Sequence, residues 1–221
     1  MLLEVKKIEK NFGTRAILKQ GSLELRTGET VGIFGRNGAG KSTLMKILFG
    51  TMRANASSLY IDSIPFNPST NIAGKLIAYL PQHSFLPRGL KVRDLIPLII
   101  SDGERQNQVF YSPGVASFDN QRIGSLSLGI LKYLEFLLLA YLDHPFLMLD
   151  EPFSMIDPLY HEIIKKVILS LRASKGILVT DHYYDTVWDV TTRNYVLVDG
   201  SLSLIKAKDD LSTYGYLPGR K

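Results

Sequence analysis

A chain of 221 residues, 45% apolar and 21% charged, has room for one domain with a small subdomain and is too apolar to be disordered. It has no cysteine, which excludes disulfides, thiolate catalysis and cysteine zinc sites. The net charge of +5 is spread along the chain, with Lys6, Lys7 and Lys10 nearest to a cluster, so a solvated basic surface is expected rather than a nucleic-acid face.

The first segment, 2–10, alternates apolar and polar residues as a strand does, and 17–25 reads as a second strand. A turn at 26–29 leads to a short β-prone run, 30–34. A glycine-rich loop follows, then a helix over 42–49 with Gly50 in the stop position. Short strands are predicted at 58–62 and 76–80. The stretch 82–124 carries Pro87, Pro97 and Pro113 and reads as an insertion with one helix, 92–101, and a polar loop. A long helix is predicted over 127–142, then a strand at 146–150, a helix at 159–173, a strand at 176–180 and a helix at 183–191. Strands at 195–198 and 202–205 flank Asp199-Gly200, a hairpin signal. Strands alternating with helices predict an α/β fold with a parallel sheet covered on both faces, while the first strands and the last hairpin read as antiparallel.

No apolar run reaches the ~18 residues that a membrane span needs. The strongest, 126–142, is interrupted by Lys132 and Glu135, and the N-terminus lacks a basic region followed by a long apolar stretch. A soluble protein that reaches any membrane through a partner is expected.

Gly35-Arg36-Asn37-Gly38-Ala39-Gly40-Lys41-Ser42-Thr43 fits the phosphate-binding pattern Gly-x4-Gly-Lys-Ser/Thr, with a strand before and a helix after. Glycines let consecutive N–H groups curl around phosphate oxygens, and the helix N-terminus adds positive potential. Lys41 would reach the β- and γ-phosphates and the Ser42 hydroxyl would ligate Mg²⁺. Downstream, four apolar residues run into Asp150-Glu151 at a strand's C-terminal end, the edge where open α/β sheets bind ligands. Asp150 suits Mg²⁺, and Glu151 suits orienting or deprotonating a water.

These residues resemble the ATP-binding cassette (ABC) ATPases over nearly the whole chain, about 3–205, with the motifs in the family's order. The resemblance implies a P-loop NTPase fold with an ABC-type mixed sheet and flanking helices. A RecA-like core would occupy 1–82 and 144–205, a trimmed helical subdomain 83–143, and a short tail 206–221. It implies that Leu80-Pro81-Gln82 is the Q-loop, with Gln82 touching Mg²⁺ and water and coupling the site to a transporter. Asp150 and Glu151 would be the Walker B aspartate and catalytic glutamate, and His182 the switch histidine at the γ-phosphate. Phe12 stands where an aromatic stacks on adenine, with core packing as its alternative role. Ser154-Met155-Ile156-Asp157 is similar to the D-loop.

The signature departs from the family's Leu-Ser-Gly-Gly-Gln and reads Leu126-Ser127-Leu128-Gly129-Ile130. In the family this helix end binds the γ-phosphate held by a second subunit. Ser127 and Gly129 keep a hydroxyl and an open N–H for that, and the apolar run after Leu128 suggests that its side chain packs into the helical subdomain. The resemblance implies ATP and Mg²⁺ as ligands, hydrolysis to ADP and phosphate, a homo- or heterodimer of cassettes, and a membrane permease partner at the cytoplasmic face. A soluble cassette acting on nucleic acid or ribosomes is the alternative, and a regulatory cassette with slow turnover is a third.

Overall fold

The computed structural model describes residues 1–216. In chain order its strands are β1 (Leu2–Phe12), β2 (Arg15–Leu18), β3 (Leu23–Arg26), β4 (Thr30–Phe34), β5 (Ala56–Ile61), β6 (Ile64–Pro65), β7 (Ile77–Leu80), β8 (Phe146–Asp150), β9 (Gly176–Thr180), β10 (Arg193–Val198) and β11 (Ser201–Ile205). Its helices are α1 (Lys41–Phe49), α2 (Asn71–Gly74), α3 (Val92–Ile99), α4 (Gly103–Phe110), α5 (Leu128–Ala140), α6 (Pro158–Leu171), α7 (Tyr184–Val190) and α8 (Asp210–Thr213).

They form two sheets. One is antiparallel, ordered β2-β1-β5-β6, with β3 also paired to β1. The other is ordered β11-β10-β4-β9-β8-β7, and only β10–β11 runs antiparallel in it. The expected single strand at 17–25 is two strands. β2 pairs with the end of β1 and β3 with its beginning. Between them the N–H groups of Lys19 and Gln20 donate to the Gly200 carbonyl at 2.9 and 3.4 Å, which ties the two sheets together. Gly21 lies in this break, where a Cβ would come within 3.1 Å of Leu202.

The parallel strands are buried on both faces, so their side chains divide by the period of two. Val31, Ile33, Met148 and Leu178 face a core shared with α1 and the antiparallel sheet. Phe34, Leu147, Leu149 and Val179 face a second core, built with α3, α5, α6 and α7. Helix α5 crosses that core, and nine of its thirteen residues are buried.

Between β7 and β8 the polar loop expected after the first helix contains a further helix, α4. Its N-terminus is capped by Asp102, whose carboxylate accepts the Arg105 N–H at 2.8 Å. Only Val109 of α4 is buried, so its apolar periodicity is too weak to read from sequence. Within the expected tail, α8 buries Leu211, and Tyr216 packs edge-on to Phe34 at 6.0 Å. Residues 217–221 of that tail lie outside the described residues. Among the described residues no helix is long and apolar enough to cross a membrane.

Candidate functional site

The parallel strands deliver the chemistry-bearing residues to one sheet edge, the C-terminal ends of β4, β7, β8 and β9. β4 feeds the loop 35–40, which enters α1 at Lys41. Gly40 precedes the helix at φ 112°, a left-handed conformation in which a Cβ would also stand 2.8 Å from Ile17. Glycine at this position therefore lets the loop close onto the helix N-terminus.

Lys41 is 7% exposed, and its ammonium donates to the carbonyls of Gly35 at 2.5 Å and Arg36 at 3.2 Å. Burial pulls its pKa below the usual lysine value, while the charges of Glu151, Asp150 and Asp181 oppose that shift. Asp150 is 1% exposed and uses both oxygens. Oδ1 accepts the Ser42 hydroxyl at 3.1 Å, and Oδ2 accepts the Tyr79 phenol at 3.0 Å. Burial raises the Asp150 pKa above the usual carboxylate range, and the two hydrogen bonds work against the rise.

Glu151 follows with φ +58°, a left-handed backbone for a residue that has a Cβ. Its N–H donates to the Thr180 carbonyl at 2.8 Å, which anchors the turn to the next strand. This conformation brings Oε1 to two partners. The Gln82 amide donates to it at 2.7 Å, and His182 Nε2 lies 3.0 Å away. Gln82, Glu151 and His182 line a cleft of about 420 Å³ with the phosphate loop, Lys41, Ser42, Thr43 and Phe12. Phe12 is half-exposed at this cleft, with the Lys10 ammonium 5.1 Å from its ring centroid, so it is a surface aromatic and not core.

Not every expected site residue is in this cleft. Arg36 turns away, and its guanidinium donates twice to the Gly215 carbonyl, at 3.0 and 2.6 Å. Ser127 caps α5 by accepting the Ile130 N–H at 3.3 Å, and Asp157 caps α6 by accepting the Leu159 N–H at 2.9 Å. Gly129 packs on the loop after Glu151, where a Cβ would stand 3.0 Å from the Met155 carbonyl. Ser127, Gly129 and Asp157 thus gather on a separate face beside that loop.

Leu128 corrects an expectation. Its side chain is 62% exposed and not packed into the helical core. The core-facing positions of α5 begin at Leu131, and Leu128 stands at the helix start, before that face forms. With Met155, 71% exposed, it borders a cavity beside Gln82 and Glu151.

Two further residues enter from the structure. Tyr79 belongs to a strand whose sequence gives no sign of a polar role. Asp181 is 1% exposed and accepts the Phe153 N–H at 2.7 Å, the Ser154 hydroxyl at 3.0 Å and the Tyr183 N–H at 3.2 Å. It fixes the loop after Glu151, and burial raises its pKa. An acid ending a buried strand was the available signal, the same one that marked Asp150.

The donor set fits Mg²⁺. A serine hydroxyl, a carboxylate and an amide are hard oxygen ligands, and a buried carboxylate gains from a nearby cation. Among the described residues no three His, Asp or Glu side chains converge on one point. Mg²⁺ does not need such a cage, because phosphate and water oxygens complete its shell.

The family described as ABC transporter matches residues 18–154. The lipopolysaccharide export system ATP-binding protein LptB of Escherichia coli (strain K12) is 32% identical over 212 residues, covering 90% of this chain and 88% of the relative. The protein of that name from Acidithiobacillus ferridurans is 29% identical, covering 91% and 88%. Among solved structures, an ATP-binding subunit of an ABC transporter has a TM-score of 0.85 at 22% identity, covering 98% of this chain and 94% of that one. A dimeric ATP-binding cassette in a post-hydrolysis state, bound to ADP and Pi, has a TM-score of 0.80 at 22% identity, covering 92% and 98%.

Proposed function

The chain belongs to the ABC transporter family of ATP-hydrolysing subunits, and on that premise we propose that it drives a separate integral membrane subunit through ATP-dependent closure of two cassettes. It would sit at the cytoplasmic face of the membrane, held there by that partner. Residues 83–143 are read as its helical subdomain, since the chain adds no strand to either sheet between Leu80 and Phe146.

The observation that carries the reading is the Glu151 carboxylate beside the phosphate loop, with one oxygen shared by Gln82 and His182. In this reading Lys41 and the amides of 35–43 hold the phosphates, and Phe12 stacks on adenine. Ser42, Asp150 and Gln82 would hold Mg²⁺, which when bound would neutralise phosphate charge. Water attacks the γ-phosphorus, Glu151 accepts its proton, and the bond from that phosphorus to the ADP oxygen breaks. His182 donates toward the γ-phosphate. Ser127, Gly129 and Asp157 serve the nucleotide of the opposite subunit from their separate face.

The name of the Escherichia coli relative supports a transporter role over a soluble cassette acting on nucleic acid. The test is the ATPase rate of the purified chain with and without a co-purified membrane protein, beside Glu151→Gln. Stimulation by the partner is expected, together with a loss of about 10²–10⁴ in turnover in Glu151→Gln at retained ATP binding. Parental turnover in that variant would assign the base to another group, and capture of ribosomes in place of a membrane protein would favour the soluble reading.

A further inference from the structure

Helix α5 carries two buried ionisable residues, Lys132 at 8% exposure and Glu135 at 0%, in an otherwise apolar run. Core packing alone does not call for them, because burying a charge is unfavourable unless a specific partner compensates it. They form no ion pair with each other within 4 Å. Each reaches the segment after β7. The Lys132 ammonium donates to the Pro81 carbonyl at 2.5 Å. Glu135 Oε1 accepts the Ser84 hydroxyl at 2.5 Å and the Phe85 N–H at 2.9 Å.

Gln82 lies between these anchor points. The segment has little else to hold it, for residues 82–85 are all exposed and Leu86 is the first buried side chain after them. Among the described residues no backbone–backbone hydrogen bond involves 82–86. At its other end α5 touches the loop after Glu151, through Gly129 against the Met155 carbonyl. One rigid helix therefore contacts both loops that frame the Gln82–Glu151 hydrogen bond.

We propose that Lys132 and Glu135 are positioning residues for hydrolysis, acting as a bracket that holds the Gln82 segment in register with Glu151. The proposal rests on the reading of Glu151 as the base. Catalytic geometry is sensitive at this scale, since a misplacement of about 1 Å can lower a rate on the order of 10²-fold. Movement of α5 would be felt at Gln82 through these two side chains.

The test combines steady-state kinetics with amide hydrogen exchange on the nucleotide-free full chain. Lys132→Met keeps the stem and removes the donor. It is expected to lower kcat about tenfold at unchanged KM for ATP, and to speed exchange of the Phe85 amide, which donates to Glu135. Lys132→Arg restores a donor and is expected to return kcat to within about threefold of the parent. Ser84→Ala alters only an exposed loop residue, so it leaves the core intact, and it is expected to lower kcat about threefold with faster exchange of the Phe85 amide. Unchanged exchange in both Lys132→Met and Ser84→Ala would overturn the bracket. So would a kcat loss accompanied by a matching KM change that Lys132→Arg fails to rescue. Absence of ATP turnover in the parent would count against the functional reading alone, because the exchange measurement uses no nucleotide.

Discussion

The Tyr79 phenol donates to Asp150 Oδ2 at 3.0 Å while the Ser42 hydroxyl takes Oδ1, so an almost fully buried carboxylate has a fixed orientation on both sides. Tyr79→Phe keeps the ring packing on Phe49, whose centroid is 5.3 Å away, and removes only the donor. An acceptor left unmade in the core typically loses about 1–3 kcal/mol. We expect a loss of that size in denaturant unfolding, with the fold retained. An unchanged midpoint would show that water or a rotated hydroxyl replaces the bond.

Lys41→Ala removes the ammonium that lies among Glu151, Asp150 and Asp181 at the phosphate loop. Hydrogen bonds to charged groups are worth about 1.5–3 kcal/mol, so Mg·ATP affinity should fall roughly 10- to 150-fold. Calorimetric titration reads this directly, and parental affinity would oppose the phosphate-loop assignment.

Leu128 is exposed at the start of α5, on the face that the proposed two-subunit mechanism would present to a second nucleotide. Leu128→Gly should leave stability within about 1 kcal/mol, as exposed sites generally do. If the isobutyl group lengthens the contact across the interface, turnover should rise about tenfold, equivalent to ~1.4 kcal/mol in the barrier. A rate that does not change would mean the signature works as written.

Lys175 is buried, and its ammonium donates to the carbonyls of Leu142 and His144 at 2.6 and 2.7 Å. Burial pulls its pKa from 10.5 down to about 8. Below pH 8 both folded and unfolded chains hold this proton. Between pH 8 and 10.5 the unfolded chain still binds a proton that the folded chain has released, so stability from this group rises with pH in that window. Lys175→Met should lose that rise. Melting temperatures of parent and variant across pH 7–11 will show it as a changing difference, and a constant difference would refute the shift. Tyr79 and Tyr133, whose pKa values burial raises above 10, act in the opposite direction only above that pH.

Much of the site is legible in the sequence because its residues sit at chain positions that local rules constrain. A glycine loop before a helix, and acids ending an apolar strand, follow from backbone geometry and the sheet edge. What escapes is set by contacts between distant segments. The break between β2 and β3 depends on a carbonyl far along the chain, at Gly200. Tyr79 acts only because β7 lies beside β8, and the direction of Leu128 depends on where the buried face of α5 begins. Arg36 belongs to the phosphate-loop pattern by position but is turned by the Gly215 carbonyl.

The left-handed backbone of Glu151 sets stability and activity in opposition at one position. Residues with a Cβ lose about 1–2 kcal/mol in that conformation, and glycine does not. A library of this gene selected only for heat resistance should therefore enrich Glu151→Gly while discarding the carboxylate proposed to take the proton. Thermal robustness would then be a misleading guide to engineering this subunit, and screens should score turnover together with melting.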